Sequence, residues 1–264
     1  MTAAALARLP PDVGAFVQRV LSSARAILGQ RLVGMYLDGS LATGDFDPAK
    51  SDIDFVVVTD GALTDGAVRD LHAMHARIAV NEPPWGMELE GSYIPRAALK
   101  GHDPRPAAHP YIDRGTGNLE VVRPESGYWV IHRSILRDHG LALAGPDPTT
   151  LIDPVKPDQL REAVRGVLRE WWAPMLADSG RLRNEFYRCY AVLTMCRMLY
   201  TLRHGSVVSK PVAAAWAREA LERRWHPLID AALAWSRGNT PDPSDTLDFI
   251  RFVSTGDDRV HRTG

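Results

Sequence analysis

Leu37-Asp38-Gly39-Ser40-Leu41-Ala42-Thr43-Gly44-Asp45, followed shortly by Ser51-Asp52-Ile53-Asp54-Phe55-Val56-Val57-Val58, is the stretch that decides the fold. An apolar run from Leu32 to Leu37 stops at Asp38-Gly39-Ser40, and a second run, rich in β-branched residues, begins at Ile53; each predicts a strand. Gly39-Ser40 stands where the first strand ends and a helix can begin, so backbone amides and the Ser40 hydroxyl can be presented to phosphate oxygens. Asp52 and Asp54 are two apart at the head of the second strand, and the two-residue period turns both carboxylates to one face. Two hard oxygen donors side by side suit Mg²⁺, which takes few protein carboxylates and completes its shell with water and substrate phosphates. Without a cation the paired charges repel and one pKa rises, whereas a divalent ion keeps both ionised and neutralises charge in phosphoryl transfer. Either piece alone is common by chance; strand, turn, helix and strand in that order supply the context that joins them into one phosphate and metal site. Ser51, just before the aspartates, adds a hydroxyl for phosphate or for the metal's shell.

Upstream, Val13 to Leu28 carries apolar residues at helical spacing (Phe16, Val20, Leu21, Ala24, Ile27, Leu28) and stops at Gly29, which predicts a helix with a glycine end. Downstream, Leu63 to Val80 predicts a helix and Met87 to Ile94 a strand bounded by Pro83-Pro84 and Pro95, with a further strand at Leu119 to Val122. Prolines, glycines and histidines crowd residues 101–117, which are expected to form a loop beside the site. After about Pro124 the pattern turns helical, over 125–139, 157–176, 182–204, 209–222, 226–237 and 243–253, with Gly-Pro, Ser-Gly and Asn-Thr-Pro breaks between. The expectation is an α/β (α+β) N-terminal domain, residues 1–150, with a small mixed sheet flanked by helices, and an all-α helical-bundle C-terminal domain, residues 151–264. His72 and His75 share a helix face but lack a partner at zinc spacing, and read as a solvated pair. Trp85, Trp129 and Trp235 read as core residues.

With 45% hydrophobic and 24% charged residues, the composition is that of a folded globular chain. Lys plus Arg (31) nearly balance Asp plus Glu (32), so the basic excess that favours a nucleic-acid partner is missing. The alanine-rich start is interrupted by Arg8 and Pro10-Pro11 before a signal-peptide core can form, and no apolar run reaches the roughly 20 residues of a membrane span. A cytoplasmic protein with no membrane partner is expected. Cys189 and Cys196, seven apart on a predicted helix, stand about 10 Å apart, beyond disulfide reach; both should be free thiols.

A hydroxyl that attacks a phosphate needs a base. Glu88 and Glu90, two apart on the third predicted strand, share a face there, and either carboxylate could serve. Arg197 interrupts the apolar helical stretch Val192 to Leu202, and Lys210 opens the next helix. A bidentate arginine and a point-charge lysine are suited to a triphosphate.

Gly39-Ser40 followed by Asp52-x-Asp54 resembles the signature of the DNA polymerase beta-like nucleotidyltransferases. The wider sequence resembles the streptomycin/spectinomycin adenylyltransferases, through His139-Gly140-Leu141-Ala142-Leu143-Ala144-Gly145-Pro146, Val192-Leu193-Thr194-Met195-Cys196-Arg197, and Ser209-Lys210 with Ala213-Ala214-Ala215-Trp216-Ala217. The resemblance runs from Gly39 to about Gly238. It implies Mg²⁺ as cofactor and ATP as co-substrate, Asp52 and Asp54 as metal ligands, and Gly39, Ser40, Arg197 and Lys210 on the phosphates. It places the base in a Leu-Glu pair, here Leu89-Glu90, although Gly91-Ser92 follow where aliphatic residues are expected and Glu88 remains the alternative. It also implies a helical domain that closes over nucleotide and acceptor. The family's acidic and aromatic acceptor positions fall around Asp178, Arg183 and Tyr187, where the pattern is not kept. The expected activity is transfer of AMP from Mg-ATP to a hydroxyl of a small molecule, an aminoglycoside antibiotic foremost. The alternatives are another hydroxylated metabolite, a protein side chain, or a nucleotide-binding, antitoxin-like protein without turnover.

Overall fold

The computed structural model describes residues 7–100, 108–123, 126–235 and 240–255. Parts of three expected segments, residues 101–107, 125 and 236–237, lie outside these. The chain divides into two compact units, Met1–Pro154 and Val155–Gly264.

The first unit is built on a six-stranded sheet: β1 (Leu32–Leu37), β2 (Ile53–Thr59), β3 (Leu89–Pro95), β4 (His109–Ile112), β5 (Leu119–Val122) and β6 (Leu141–Ala144), in the order β5-β4-β3-β2-β1-β6. Only β2 and β3 run parallel. Helices α1 (Pro11–Leu28), α2 (Gly39–Thr43), α3 (Asp65–Asn81), α4 (Arg96–Lys100), α5 (Ser126–His139) and α6 (Pro148–Leu151) complete the unit. The mixed sheet with flanking helices is the fold class expected from the sequence.

Alternation along β2 divides its side chains between two cores. Ile53, Phe55 and Val57 are fully buried with Phe16, Val17 and Val20 of α1 and Leu71 and Met74 of α3. Val56 and Val58 turn to the other face, with Tyr36, Ile94, Trp129, Leu136, Leu151 and Ile152. Asp52 and Asp54 belong to that second face by the same period. Burying apolar side chains at about 25 cal/mol per Å² on both faces holds the strand in this register, because a one-residue slip would turn the aspartates into the α1/α3 core.

Several local expectations are corrected. His109–Ile112 is a strand inside the expected loop 101–117, pairing with β5 along its length. Its ladder with β3 covers only Gly91↔Ile112 and Ser92↔Tyr111, so Pro110, which lacks an N–H, lies past the end of that ladder. β6 was not expected as a strand, being short and without β-branched residues; it pairs with β1 at Met35, Tyr36 and Leu37. His72 and His75 are not a solvated pair. His72 is exposed, but His75 is buried with Nε2 2.8 Å from the Tyr93 hydroxyl, and burial pushes its pKa down to about 4. Trp85 and Trp129 are buried as expected.

The second unit contains α7 (Pro157–Val167), α8 (Glu185–His204), α9 (Lys210–Ala220), α10 (His226–Leu233) and α11 (Pro243–Ser254). α8 packs against α7, α9, α10 and α11, which is why its apolar residues spread around the helix and its Cys189 and Cys196 are buried free thiols. Asn184 caps its start by accepting the Tyr187 N–H, and Gly205, at φ 69°, ends it. The expected helix 157–176 does not run through. Pro174 cannot donate to an α ladder, and the segment passes from α7 into a π turn at Leu168–Trp172 and a 3₁₀ turn at Ala173–Leu176. None of the described helices is long and apolar enough to cross a membrane.

Candidate active site

β1 delivers the chain to Asp38, whose side chain accepts the Gly39 N–H at 2.8 Å and caps the single turn of α2. Gly39 has φ 56°, and a β-carbon there would collide with Asp54 Oδ2, so a larger residue is strained and must displace the Asp54 carboxylate or the turn. The hydroxyl of Ser40, next in the turn, is buried and has no hydrogen-bond partner among the described residues. A buried hydroxyl left without a partner is costly, and a phosphate oxygen would satisfy it. Ser51 stands in the turn leading to β2 and accepts the Asp47 N–H at 3.0 Å, so part of its hydrogen-bonding capacity serves the turn.

The Asp38 N–H bonds the Asp54 carbonyl at 3.0 Å, which joins this turn to the aspartates. One carboxylate oxygen from each of Asp52, Asp54 and Glu90 lies within 4.8 Å of the others. The parallel register brings the third member in, since Asp54 is paired directly with Glu90 across β2 and β3. Glu88, expected on the third strand with Glu90, is not one of these three acids. It precedes the strand at the end of the turn Trp85–Met87, where Arg114 holds its Oε2 at 2.6 Å through Nε and 2.5 Å through a terminal nitrogen. Arg114 also reaches to 3.9 Å from Asp52 Oδ2 and donates to the Lys50 carbonyl at 3.3 Å.

Three hard-oxygen acids this close could hold Mg²⁺, and the close approach of Gly39 to Asp54 sets the Gly39-Ser40 turn against them. Glu90 is mostly buried, and burial, with Asp52 and Asp113 nearby, pushes its carboxyl above the usual range; a hydrogen bond from Tyr111 and the nearby His132 act in the opposite sense. The Tyr111 hydroxyl donates to Glu90 Oε1 at 2.7 Å, and burial beside Glu90 holds that phenol far above the ordinary tyrosine range, so it remains a donor. His132 is exposed on α5 with Nδ1 4.0 Å from Asp38 Oδ2.

On the second unit, Arg197 is half-buried on α8, and its guanidinium has no hydrogen bond or ion pair among the described residues. Lys210 is the first residue of α9, with Nζ 4.8 Å over the Tyr190 ring. Tyr190 stacks in turn with Trp172 and meets Tyr187 at a tilt of 40°. Arg183 is exposed in the turn Gly180–Arg183, and Asp178 is exposed and accepts the Gly180 N–H at 3.1 Å.

Sequence reasoning missed Asp38, Tyr111, Arg114 and His132. Asp38 carried a signal, an aspartate just before a helix start, which is a cap. Tyr111 and Arg114 carried none, because the prolines around them obscure the strand that places them.

Comparison with known proteins agrees with both units. Residues 19–82 match the nucleotidyltransferase domain, and residues 150–253 match the aminoglycoside adenylyltransferase C-terminal domain. The chain is thus similar to the aminoglycoside adenylyltransferases in its C-terminal unit and to the nucleotidyltransferases in its N-terminal one. Gly39, Ser40, Ser51, Asp52 and Asp54 lie inside the first match, Arg197 and Lys210 inside the second, and Glu90 between the two.

Among adenylyltransferase relatives, an aminoglycoside (3'') (9) adenylyltransferase of Escherichia coli is 38% identical over 123 residues, 44% of each chain. One from Rhizobium radiobacter is 34% identical over 127 residues, 44% of this chain and 43% of its own. These alignments therefore span less than half the relatives' length. A spectinomycin 9-adenylyltransferase of Campylobacter jejuni aligns more fully, 27% identical over 244 residues and 88% of each chain. The spectinomycin adenyltransferase AAD(9) from Enterococcus faecialis, crystallised with ATP and spectinomycin, shares the fold, with a TM-score of 0.67 over 94% of this chain and 99% of its own at 17% identity.

Proposed function

We propose that the protein is a magnesium-dependent adenylyltransferase that moves AMP from ATP to a hydroxyl of a small molecule, with an aminoglycoside or related aminocyclitol as acceptor. One observation carries this reading: Asp52, Asp54 and Glu90 converge beside a Gly39-Ser40 turn in which the Ser40 hydroxyl is buried without a partner among the described residues.

In this reading Asp52 and Asp54 hold the magnesium, which when bound neutralises charge on the triphosphate. Gly39 lets the turn lie flat against Asp54, and the Ser40 hydroxyl takes a phosphate oxygen. Ser51 keeps the approach to β2 closed while its proton remains free to donate. Glu90, with a pKa raised by burial, accepts the proton of the acceptor hydroxyl as that oxygen bonds to the α-phosphorus; the bond to the bridging oxygen breaks and pyrophosphate leaves. Arg197 and Lys210 are assigned to the phosphates of the nucleotide. Arg197 supports this, because a charge on a half-buried helix position with no counter-ion among the described residues calls for an anionic partner. Little covalent work falls to the protein, and the rate derives from positioning and charge.

The relatives support an antibiotic acceptor. Arg183 favours a second acceptor class, a hydroxylated metabolite without the positive charge of an aminoglycoside, because it stands where the family's acceptor carboxylates are expected. The test is to incubate the protein with each nucleoside triphosphate, Mg²⁺ and a panel of streptomycin, spectinomycin, neomycin-type drugs and uncharged polyols, and to follow pyrophosphate. Release only with ATP and an aminocyclitol supports the first class, and release only with uncharged polyols the second. No release with any combination rejects the reading.

A further inference from the structure

Sheet geometry brings an unassigned side chain onto the proposed base. Tyr111 lies directly opposite Ser92 in the antiparallel β3/β4 ladder, and Glu90 is two residues from Ser92 on the same face. A diagonal neighbour of this kind lies within reach of an aromatic side chain. The Tyr111 hydroxyl donates to Glu90 Oε1 at 2.7 Å. His109, two residues before Tyr111 and so on the same face, bonds Ser92 Oγ through Nε2 at 3.1 Å. β4 therefore lays a ladder of polar side chains along Glu90 and Ser92.

We propose that Tyr111 is a positioning residue for Glu90. By occupying Oε1 it fixes the plane of the carboxylate and leaves Oε2 to receive the acceptor's proton. A carboxylate packed among Asp52 and Asp54 is repelled by both and, unrestrained, would rotate away from them. A neutral hydroxyl donor holds it without adding charge and without competing for the nucleotide. The inference rests on Glu90 being the base of the proposed adenylyl transfer, and it goes beyond that by naming what aims the base.

The experiment is a double-mutant cycle in the full-length protein, with Tyr111→Phe, Glu90→Gln and the double variant. The readouts are kcat and KM for Mg-ATP with the best acceptor, and Mn²⁺ affinity in the absence of nucleotide. Tyr111→Phe removes one oxygen and no packing. It is expected to lower kcat on the order of tenfold, as loss of a hydrogen bond to a charged group does, with KM for Mg-ATP and Mn²⁺ affinity within about twofold of wild type. In the Glu90→Gln background the same change should have no further effect on the residual rate. Tyr111→Phe with wild-type kcat, or an equal loss with and without the Glu90 carboxylate, overturns the proposal for Tyr111 alone. Weaker Mn²⁺ binding that accounts for the lost rate likewise overturns it, since Tyr111 then serves the metal site as a whole. Wild-type turnover in Glu90→Gln overturns the base assignment and this proposal with it.

Discussion

Gly39 lies so close against Asp54 that a β-carbon at position 39 would stand only 1.9 Å from Asp54 Oδ2. One residue follows β1 and the other lies at the start of β2, and their contact joins the proposed phosphate seat to the proposed metal pair. Gly39→Ala must displace either the carboxylate or the α2 turn, and it also places a side chain at positive φ. An ångström-scale displacement of a catalytic group can cost about 100-fold in rate, and the positive φ about 1–2 kcal/mol in stability. Steady-state kinetics and urea unfolding check both; a fully active Gly39→Ala protein would contradict this geometry.

Asp52→Asn and Asp54→Asn each remove a charged ligand near the surface and relieve like-charge repulsion. Both proteins should melt no lower than wild type in the absence of nucleotide, yet lose adenylyl transfer. Turnover within about tenfold of wild type, only about 1.4 kcal/mol in transition-state energy, would remove them from the metal site.

Glu90→Gln should bind Mg-ATP and lose most turnover, about 10² to 10⁴-fold as for other general bases. Glu88→Gln should act differently, releasing Arg114 from its anchor and leaving the carboxylate cluster complete. The larger kinetic loss in Glu88→Gln would reverse the assignment.

Arg197→Ala and Lys210→Ala should each weaken ATP binding on the order of tenfold or more while leaving acceptor affinity little changed. Isothermal titration with a non-hydrolysable ATP analogue measures this. Superimposable curves for wild type and both variants would return the two residues to the surface.

His75 gives the fold an acid-sensitive point. Its pKa is about 4 in the folded protein, held down by burial, against about 6.5 when unfolded. Between those values the unfolded chain binds a proton that the native one does not, so stability is lost as pH falls from about 6.5 to about 4, up to roughly 3 kcal/mol. Urea unfolding across this window should show the loss, and His75→Gln should flatten it. Identical pH profiles for the two proteins would show that His75 does not carry it.

The sequence displayed the parts of the site that depend on local order. Gly39-Ser40 and Asp52-x-Asp54 could be read because a strand end, a glycine and a two-residue period are properties of adjacent residues. Which of Glu88 and Glu90 lies beside the aspartates could not be read that way, since it depends on the register of two parallel strands, which pairs Asp54 with Glu90, while Glu88 pairs with Arg114. Tyr111 was hidden for a related reason: its strand contains Pro110 and is defined by its partners rather than by its own pattern. His75 was misjudged because helical spacing alone does not say that Tyr93 covers that face.

The most direct test of the central claim is mass spectrometry of spectinomycin and streptomycin after incubation with ATP, Mg²⁺ and either the wild-type protein or Asp54→Asn. The account predicts a single adenylyl addition to an acceptor hydroxyl with the wild type, none after chelation of the metal, and none with the variant. An unmodified acceptor in the presence of wild-type protein that binds Mg-ATP would contradict the antibiotic acceptor, and an adenylylated product from Asp54→Asn at the wild-type rate would contradict the site itself.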